Sequence, residues 1–395
     1  MKKIIWWLAP SMIIGASAIA QKQKQTQTDT FYYNKPLIPE AKQKLLSNVD
    51  FIANIQSSFI NEFNNGTYTD SKFTVNQFRL EIKGKLYDRV YFRFRDRYTK
   101  QTTPQSVDNI SASTDMAYIT VQATDKWSIT AGKMCADWGG IEFDLNPIDI
   151  YQYSDIINYS DNFLTGAGVQ YQSDKNNLFD VQLLNSRTRT FQEIYGNVPG
   201  ITVAKFPFAA VANWRGNNLF DGKVSTIWSY SIFQDATGIF MNYIALGNQL
   251  TLKKFDFAYD FKYSIEDLDR KGIISGIVPD TNNPHIARQN VSYLSHWIKA
   301  DYRIGKKINL SFVGMVDFAN WKGNPDPAKD NRIRVAWGYI PVFEFFPYKG
   351  LNLKFFANYV GRIYRYTDYA REKLGAVNST TGVISIGFSS PLHIL

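Results

Sequence analysis

Apolar residues recur at every second position over runs of ten residues or more, and this limits what the chain can fold into more than any other feature. The clearest run is Lys254 to Ser264. Phe255, Phe257, Tyr259, Phe261 and Tyr263 fall on one face, and Lys254, Asp256, Ala258, Asp260, Lys262 and Ser264 on the other. Ile308 to Phe318 repeats it, with Leu310, Phe312 and Val316 opposite Asn309, Ser311 and Asp317. So does Leu351 to Ile363, with Leu353, Phe355, Ala357 and Tyr359 opposite Asn352, Lys354, Phe356 and Asn358. Half-buried strands of soluble sheets alternate too, but usually over about five or six residues. About ten tilted residues is what a bilayer requires.

The same period marks sixteen segments: 50–63, 72–86, 89–99, 114–124, 127–135, 164–173, 177–186, 206–216, 222–233, 238–250, 254–265, 290–303, 308–320, 332–346, 351–365 and 381–394. Tight connectors such as Tyr87-Asp88, Thr124-Asp125-Lys126 and Thr251 to Lys253 alternate with longer Gly/Asn/Asp/Pro-rich ones at 136–163, 187–205, 266–289 and 321–331. Short turns on one side and long loops on the other are typical of bacterial outer-membrane barrels. Gln234 to Thr237 is a short outer connection that breaks the rule. In lipid every backbone N–H and C=O must be paired, and only closure leaves no edge. The expected fold is all-β, a transmembrane antiparallel β-barrel of about 16 strands. An even count returns both termini to the short-turn side.

The N-terminus sets the compartment. Lys2 and Lys3 precede an apolar stretch from Ile4 to Ile14, and Ala18-Ile19-Ala20 is a small-x-small cleavage site. Residues 1–20 therefore read as a signal peptide directing export to the outer membrane of a Gram-negative-type envelope. The apolar run is shorter than the ~20 residues of a spanning helix. The only cysteine, Cys135, lies far from the cleavage site, which argues against a lipoprotein. The polar stretch 21–49, with Pro36 and Pro39, reads as a periplasmic arm with a helical turn at Glu40 to Leu46, and 50–395 as the barrel. Aromatic residues make up 15% of the chain, as interfacial girdles require. The formal charge of +9 suits an anionic surface or solute. Export removes nucleic acid from the possible partners.

Gln77 to Arg97 is the most informative segment. Phe78, Leu80, Ile82, Gly84 and Leu86 alternate with Gln77, Arg79, Glu81, Lys83 and Lys85; Val90, Phe92, Phe94 and Tyr98 alternate with Arg89, Tyr91, Arg93, Arg95 and Arg97. Apolar residues must face lipid, so Arg79, Lys83, Lys85, Arg89, Arg93, Arg95 and Arg97 are expected to line the lumen, with Glu81 offsetting one of them. Rows of Arg and Lys favour anions and phosphate, and the guanidinium fork suits oxyanions. The competing reading is a wall of mixed charges that pair with each other. Asp256, Asp260, Asp301, Asp317 and Glu344 also point inward by parity. Asp96 falls on the lipid-facing parity, which predicts a bulge or a position above the hydrocarbon.

The stretch from Asp137 to Phe163 follows the fifth strand and carries Trp138, Glu142, Asp144, Asp149 and Asp155 among Phe143, Tyr151, Tyr153 and Tyr159. A loop this long in a compact protein is usually functional. It either folds into the barrel and narrows the pore, or serves as a surface lid or subunit contact. Catalysis is poorly supported. His285, His296 and His393 are scattered, pair with no nucleophile by spacing, and form no metal site. No cofactor is expected. Gly166-Ala167-Gly168 sits within a strand pattern and reads as close strand packing.

Gln77-Phe78-Arg79-Leu80-Glu81-Ile82-Lys83-Gly84-Lys85-Leu86, then Tyr91-Phe92-Arg93-Phe94-Arg95, Ala117-Tyr118-Ile119 and Ile129-Thr130-Ala131-Gly132-Lys133, resemble the phosphate-selective porin O/P family. The resemblance implies a sixteen-stranded barrel, usually a homotrimer, with anion-attracting basic residues in the lumen. Arg79, Arg93 and Arg95 match its basic strand positions. The expected function is passive diffusion of small hydrophilic solutes with anion preference, phosphate among them, in contact with outer-membrane lipid. The alternatives are a non-conducting structural or assembly barrel and a transporter of one non-ionic solute.

Overall fold

A computed structural model describes residues 48–279, 285–324 and 331–394. The expected signal peptide, and the arm as far as residue 47 with its helical turn, lie outside the described residues. Sixteen strands follow: β1 (Val49–Asn64), β2 (Thr67–Tyr87), β3 (Val90–Arg97), β4 (Thr114–Gln122), β5 (Trp127–Cys135), β6 (Phe163–Asp174), β7 (Asn177–Asn185), β8 (Val203–Asn218), β9 (Val224–Ala236), β10 (Ile239–Thr251), β11 (Phe255–Leu268), β12 (Gln289–Ile304), β13 (Ile308–Trp321), β14 (Arg332–Phe345), β15 (Lys354–Tyr366) and β16 (Ser379–His393). Each pairs antiparallel with its neighbours in sequence, and β16 pairs with β1 to close the barrel.

Most strand ends shift from the sequence reading by one to five residues, and three of the differences have a local cause or consequence. β2 begins at Thr67 instead of 72, because Asn65 and Gly66 both take positive φ (49° and 79°) and make a two-residue hairpin turn. The first outer connection is therefore as short as Thr237-Gly238 between β9 and β10. The turn expected at Tyr87-Asp88 is Asp88-Arg89, with Arg89 at φ 61°. β15 begins at Lys354, not Leu351.

The faces fall as the alternation requires, inverted relative to a soluble sheet. On β11 Asp260, Lys262 and Ser264 are fully buried inside, while the aromatic face is partly exposed. On β13 Phe312 is 43% exposed and Asp317 1%. Asp96 sits at a register shift between β3 and β4, opposite Thr114, and accepts hydrogen bonds from Ser113 Oγ (2.8 Å) and Thr114 Oγ1 (3.1 Å). A bulge thus places this carboxylate beside hydroxyls. A Cβ on Gly166 would lie 2.3 Å from the Leu183 carbonyl oxygen, which accounts for a glycine where β6 and β7 approach closely.

Loop 136–162 runs inside the barrel. It carries two single-turn helices, α1 (Ile141–Asp144) and α2 (Asp155–Asn158), separated by a 3-10 turn at Pro147–Asp149. Apolar side chains hold it there. Trp138 packs edge-on against Tyr243 (4.8 Å between ring centroids) and Phe233 (6.0 Å), and Ile141 joins Ala258, Trp297, Val313 and Ile340. Burial of this kind contributes ~25 cal/mol per Å² of apolar surface.

Candidate lumen site

Two structures meet inside the barrel: the β2–β4 wall and loop 136–162. On the wall, the β2–β3 register sets Arg79 opposite Arg97, Glu81 opposite Arg95 and Lys83 opposite Arg93. Five cations on two adjacent strands would repel strongly, and two carboxylates hold them. Glu81 takes Arg93 at 2.9 Å, with Arg95 and Lys83 each at 4.0 Å. Asp115, fully buried at the β3–β4 bulge, takes Arg97 at 2.7 Å, Arg95 at 3.4 Å and Arg79 at 3.5 Å. Sequence reasoning missed Asp115, because the register shift that delivers it to the lumen face is invisible to a strict two-residue period.

Lys85 and Arg89 are not part of this inner row. Lys85 pairs with Asp88 (2.8 Å) and Arg89 with Asp125 (2.9 Å), both partners lying in the tight turns at the rim. Alternation carries parity past the end of the wall, but it does not say where the wall stops.

Several strands fasten the loop. Asp137 and Asp144 both grip Arg215 of β8, at 2.5 and 2.7 Å. Asp260 of β11 accepts the backbone N–H groups of Ile141 and Glu142, both at 2.9 Å, at the start of α1. Asp149 bonds Lys354 of β15, while Gln56 of β1 and Ser389 of β16 donate to the Ile148 carbonyl. Asp155 bonds Arg334 of β14 and Arg362 of β15, and its N–H donates to Asp317 of β13. Within the loop, Glu142 accepts Ser154 N and Oγ at 2.7 Å each and also pairs with Lys262. Of the five loop residues singled out from sequence, Trp138, Glu142 and Asp155 are buried fasteners, whereas Asp144 and Asp149 keep about a third of their side chains exposed (37% and 32%).

Electrostatics link the two structures. Burial pushes the Tyr153 phenol up to about 12, against the pull of Arg79 and of Arg97 and Arg95 across from it. Burial and the nearby Asp317 carboxylate push Asp155 up to about 6, against Arg334 and Arg362. Arg215, Arg334 and Arg362, which the sequence reading did not single out, stand on inward strand faces and hold the loop carboxylates.

The histidines do not assemble. His296 bonds Tyr259 Oη at 2.9 Å on the outward face of β11 and β12, and among the described residues no metal-ligating cluster comes together.

Comparison with known proteins now decides the family. The model of the family "phosphate-selective porin O and P" matches residues 49–389, nearly the whole described barrel. The chain belongs to that family. This phosphate-selective porin O and P family member also shares its fold with solved outer-membrane barrels. The channel DcaP of Acinetobacter baumannii is 11% identical, covers 86% of this chain and 96% of its own, and superposes with a TM-score of 0.58. OmpT of Vibrio cholerae, solved in a trimer form, is 11% identical over 86% of this chain and 98% of its own, with a TM-score of 0.50. OmpF of Salmonella typhi, solved with daunomycin, is 11% identical over 87% and 98%, with a TM-score of 0.51. At these identities the likeness is one of fold. No curated protein sequence matches the chain. Family and fold are those of an outer-membrane porin barrel.

Proposed function

We propose that this protein is a passive outer-membrane porin for small hydrophilic solutes, with a moderate preference for anions, phosphate among them. The observation that supports this is the charge balance of the β2–β4 wall. Arg79, Lys83, Arg93, Arg95 and Arg97 share two carboxylates, Glu81 and Asp115, so the wall keeps a positive excess after every pairing is made. Neighbouring strands lie ~4.8 Å apart, so the remaining potentials overlap, and low-dielectric walls focus that field on passing ions. Loop 136–162 narrows the path beside this wall, with Asp144 and Asp149 as its exposed carboxylates. The loop acidity and the inward carboxylates of β11 to β14 keep the preference moderate.

The remaining elements fit the same reading. Residues 1–20 direct export, and the subunits assemble as a homotrimer, a state in which OmpT of Vibrio cholerae has been solved. The protein is not an enzyme and uses no cofactor. A planar-bilayer recording under a salt gradient tests the proposal. The expected result is a conducting pore whose reversal potential has the anion sign and shrinks as salt rises, since screening reaches ~10 Å at about 0.1 M. A cation-signed potential would overturn the preference, and a silent bilayer would favour a structural barrel.

A further inference from the structure

The tight-turn rim of the barrel, the end that faces the periplasm in bacterial barrels, is unevenly charged. From β2 to β9 the turns and the strand ends beside them carry Lys85, Arg89, Lys126, Lys175 and Lys223, against Asp88, Asp125, Asp174 and Asp221. Lys85 pairs with Asp88 and Arg89 with Asp125. From β10 to β15 the mixture stops. The β10–β11, β12–β13 and β14–β15 turns carry Lys253, Lys254, Lys306, Lys307 and Lys349 and no carboxylate. Lys306 has a partner of its own. Lys253, Lys254, Lys307 and Lys349 are exposed, and among the described residues no carboxylate pairs with them. The strand-end carboxylates of this half are engaged elsewhere: Asp256, Asp301 and Glu344 face the lumen, held by Arg303, Lys299 and Lys354. The next carboxylate along the described rim, Asp50, stands on β1, two strands beyond β15.

A solvated turn is served by charges of either sign, as the β2–β9 half shows. Four exposed cations without a carboxylate repel one another. Neighbouring strands lie ~4.8 Å apart, so successive turns stand about 10 Å apart, close to the screening length at physiological salt. The level of these lysines says what offsets them. One step into the wall, Tyr302, Ile304, Leu310 and Phe343 are exposed on outward faces, and Leu252 and Tyr348 are exposed in the turns themselves. Apolar and aromatic side chains of this kind mark the border where a barrel leaves the hydrocarbon for the headgroups. A lysine at that border lays its alkyl stem on apolar surface and keeps its ammonium among the headgroups, where it binds phosphate as a point charge.

We propose that the β10–β15 half of the periplasmic rim is a docking surface for anionic phospholipid of the inner leaflet, whose phosphates Lys253, Lys254, Lys307 and Lys349 neutralise. Charge complementarity calls for an anion, and the apolar border calls for one that brings acyl chains with it. A soluble acidic partner would leave Leu252 and Tyr348 uncovered beside it. The assignment rests on the orientation of the barrel and not on the ion preference proposed above.

The test is native mass spectrometry of the full folded chain in detergent, titrated with equal amounts of phosphatidylglycerol and phosphatidylcholine of the same acyl chains. The expected result is retention of the anionic lipid at least tenfold over the zwitterionic one. Lys253→Gln/Lys254→Gln/Lys307→Gln/Lys349→Gln should remove most of that preference, and the same four changes to Arg should keep it. Lys126→Gln/Lys175→Gln/Lys223→Gln, on the other half, should leave it unchanged. Each variant is first shown to fold by the heat-modifiable gel shift of barrels. Equal retention of the two lipids by the unaltered protein would overturn the proposal, as would a preference that survives the four changes to Gln. An equal loss in the Lys126, Lys175 and Lys223 variant would make the effect one of total rim charge and sink the patch. Binding of an acidic cell-wall stem peptide that depends on the four lysines, with no preference between the lipids, would give the surface to the cell wall instead.

Discussion

Arg362 on β15 donates to Asp155 of the inner loop at 2.7 Å, although 207 residues separate them, and the same guanidinium reaches Asp317 of β13 at 3.0 Å. Arg334 of β14 bonds the other oxygen of Asp155. Two cations and two carboxylates thus form a buried chain, Arg334–Asp155–Arg362–Asp317, that holds α2 against the wall. Removing one inner member leaves an uncompensated charge in low dielectric, which costs far more than the pair itself contributes.

Arg362→Leu should therefore destabilise the barrel by about 3–5 kcal/mol, because Asp155 and Asp317 are left side by side with one cation. Denaturation followed by heat-modifiable gel migration would measure it. The damage should lessen as pH falls toward 5, because protonation removes the repulsion. Equal damage at pH 5 and 8 would mean that the loss is one of packing.

Asp155→Asn should be milder. The carboxyl titrates at about 6 in the folded chain, above its ordinary 3.8. At pH 7 its charged form is favoured by only about one unit, or roughly 1.4 kcal/mol. The sign follows from linkage: a raised folded value gives stability that is full below about 4 and is lost as pH rises through about 6. Acidification from pH 7 to 5 should accordingly not loosen the unaltered loop, which single-channel noise recorded at both pH values would check.

Gly247→Ala should dislodge the start of α1. Its Cβ would fall 2.6 Å from both Asp260 Oδ1 and Ile141 N, the two atoms that fasten the loop there. Overpacking of this kind costs about 1–3 kcal/mol, and the expected readout is higher conductance with more open-channel noise. Gly276→Ala, where nothing lies within 4 Å, is the matched control.

Phe312→Arg should impair assembly while Phe312→Leu does not. Phe312 faces outward on β13, where a midplane cation costs about 2–4 kcal/mol. The yield of heat-modifiable barrel distinguishes the two; equal yields would mean that this face does not meet lipid.

Lys83→Gln with Arg93→Gln should shift the reversal potential toward cations without unseating Asp115, whose cations are Arg79, Arg95 and Arg97. Asp115→Asn should shift it the other way. A potential unmoved by both changes, with conductance intact, would make the row a structural charge lattice.

The sequence by itself determined the barrel, since lipid tolerates only paired backbone and apolar outward faces, and that demand is written locally at every second residue. At Asp96, where one charge broke the alternation, it left a bulge or a position above the hydrocarbon, and it put Arg79, Lys83, Arg93, Arg95 and Arg97 on one wall. Lys85 and Arg89 carried the same parity yet belong to the rim, because period alone does not mark where a wall meets a turn. Only the tertiary structure decided what the inward charges do. Asp115 reaches Arg79 through a register shift, and Asp155 reaches Arg362 across the closed barrel. These pairings depend on which strands stand opposite each other once β16 meets β1. Closure is a global event, and a buried charge is satisfied by whatever that event brings within about 3 Å, so its partner cannot be read from its neighbours in the chain.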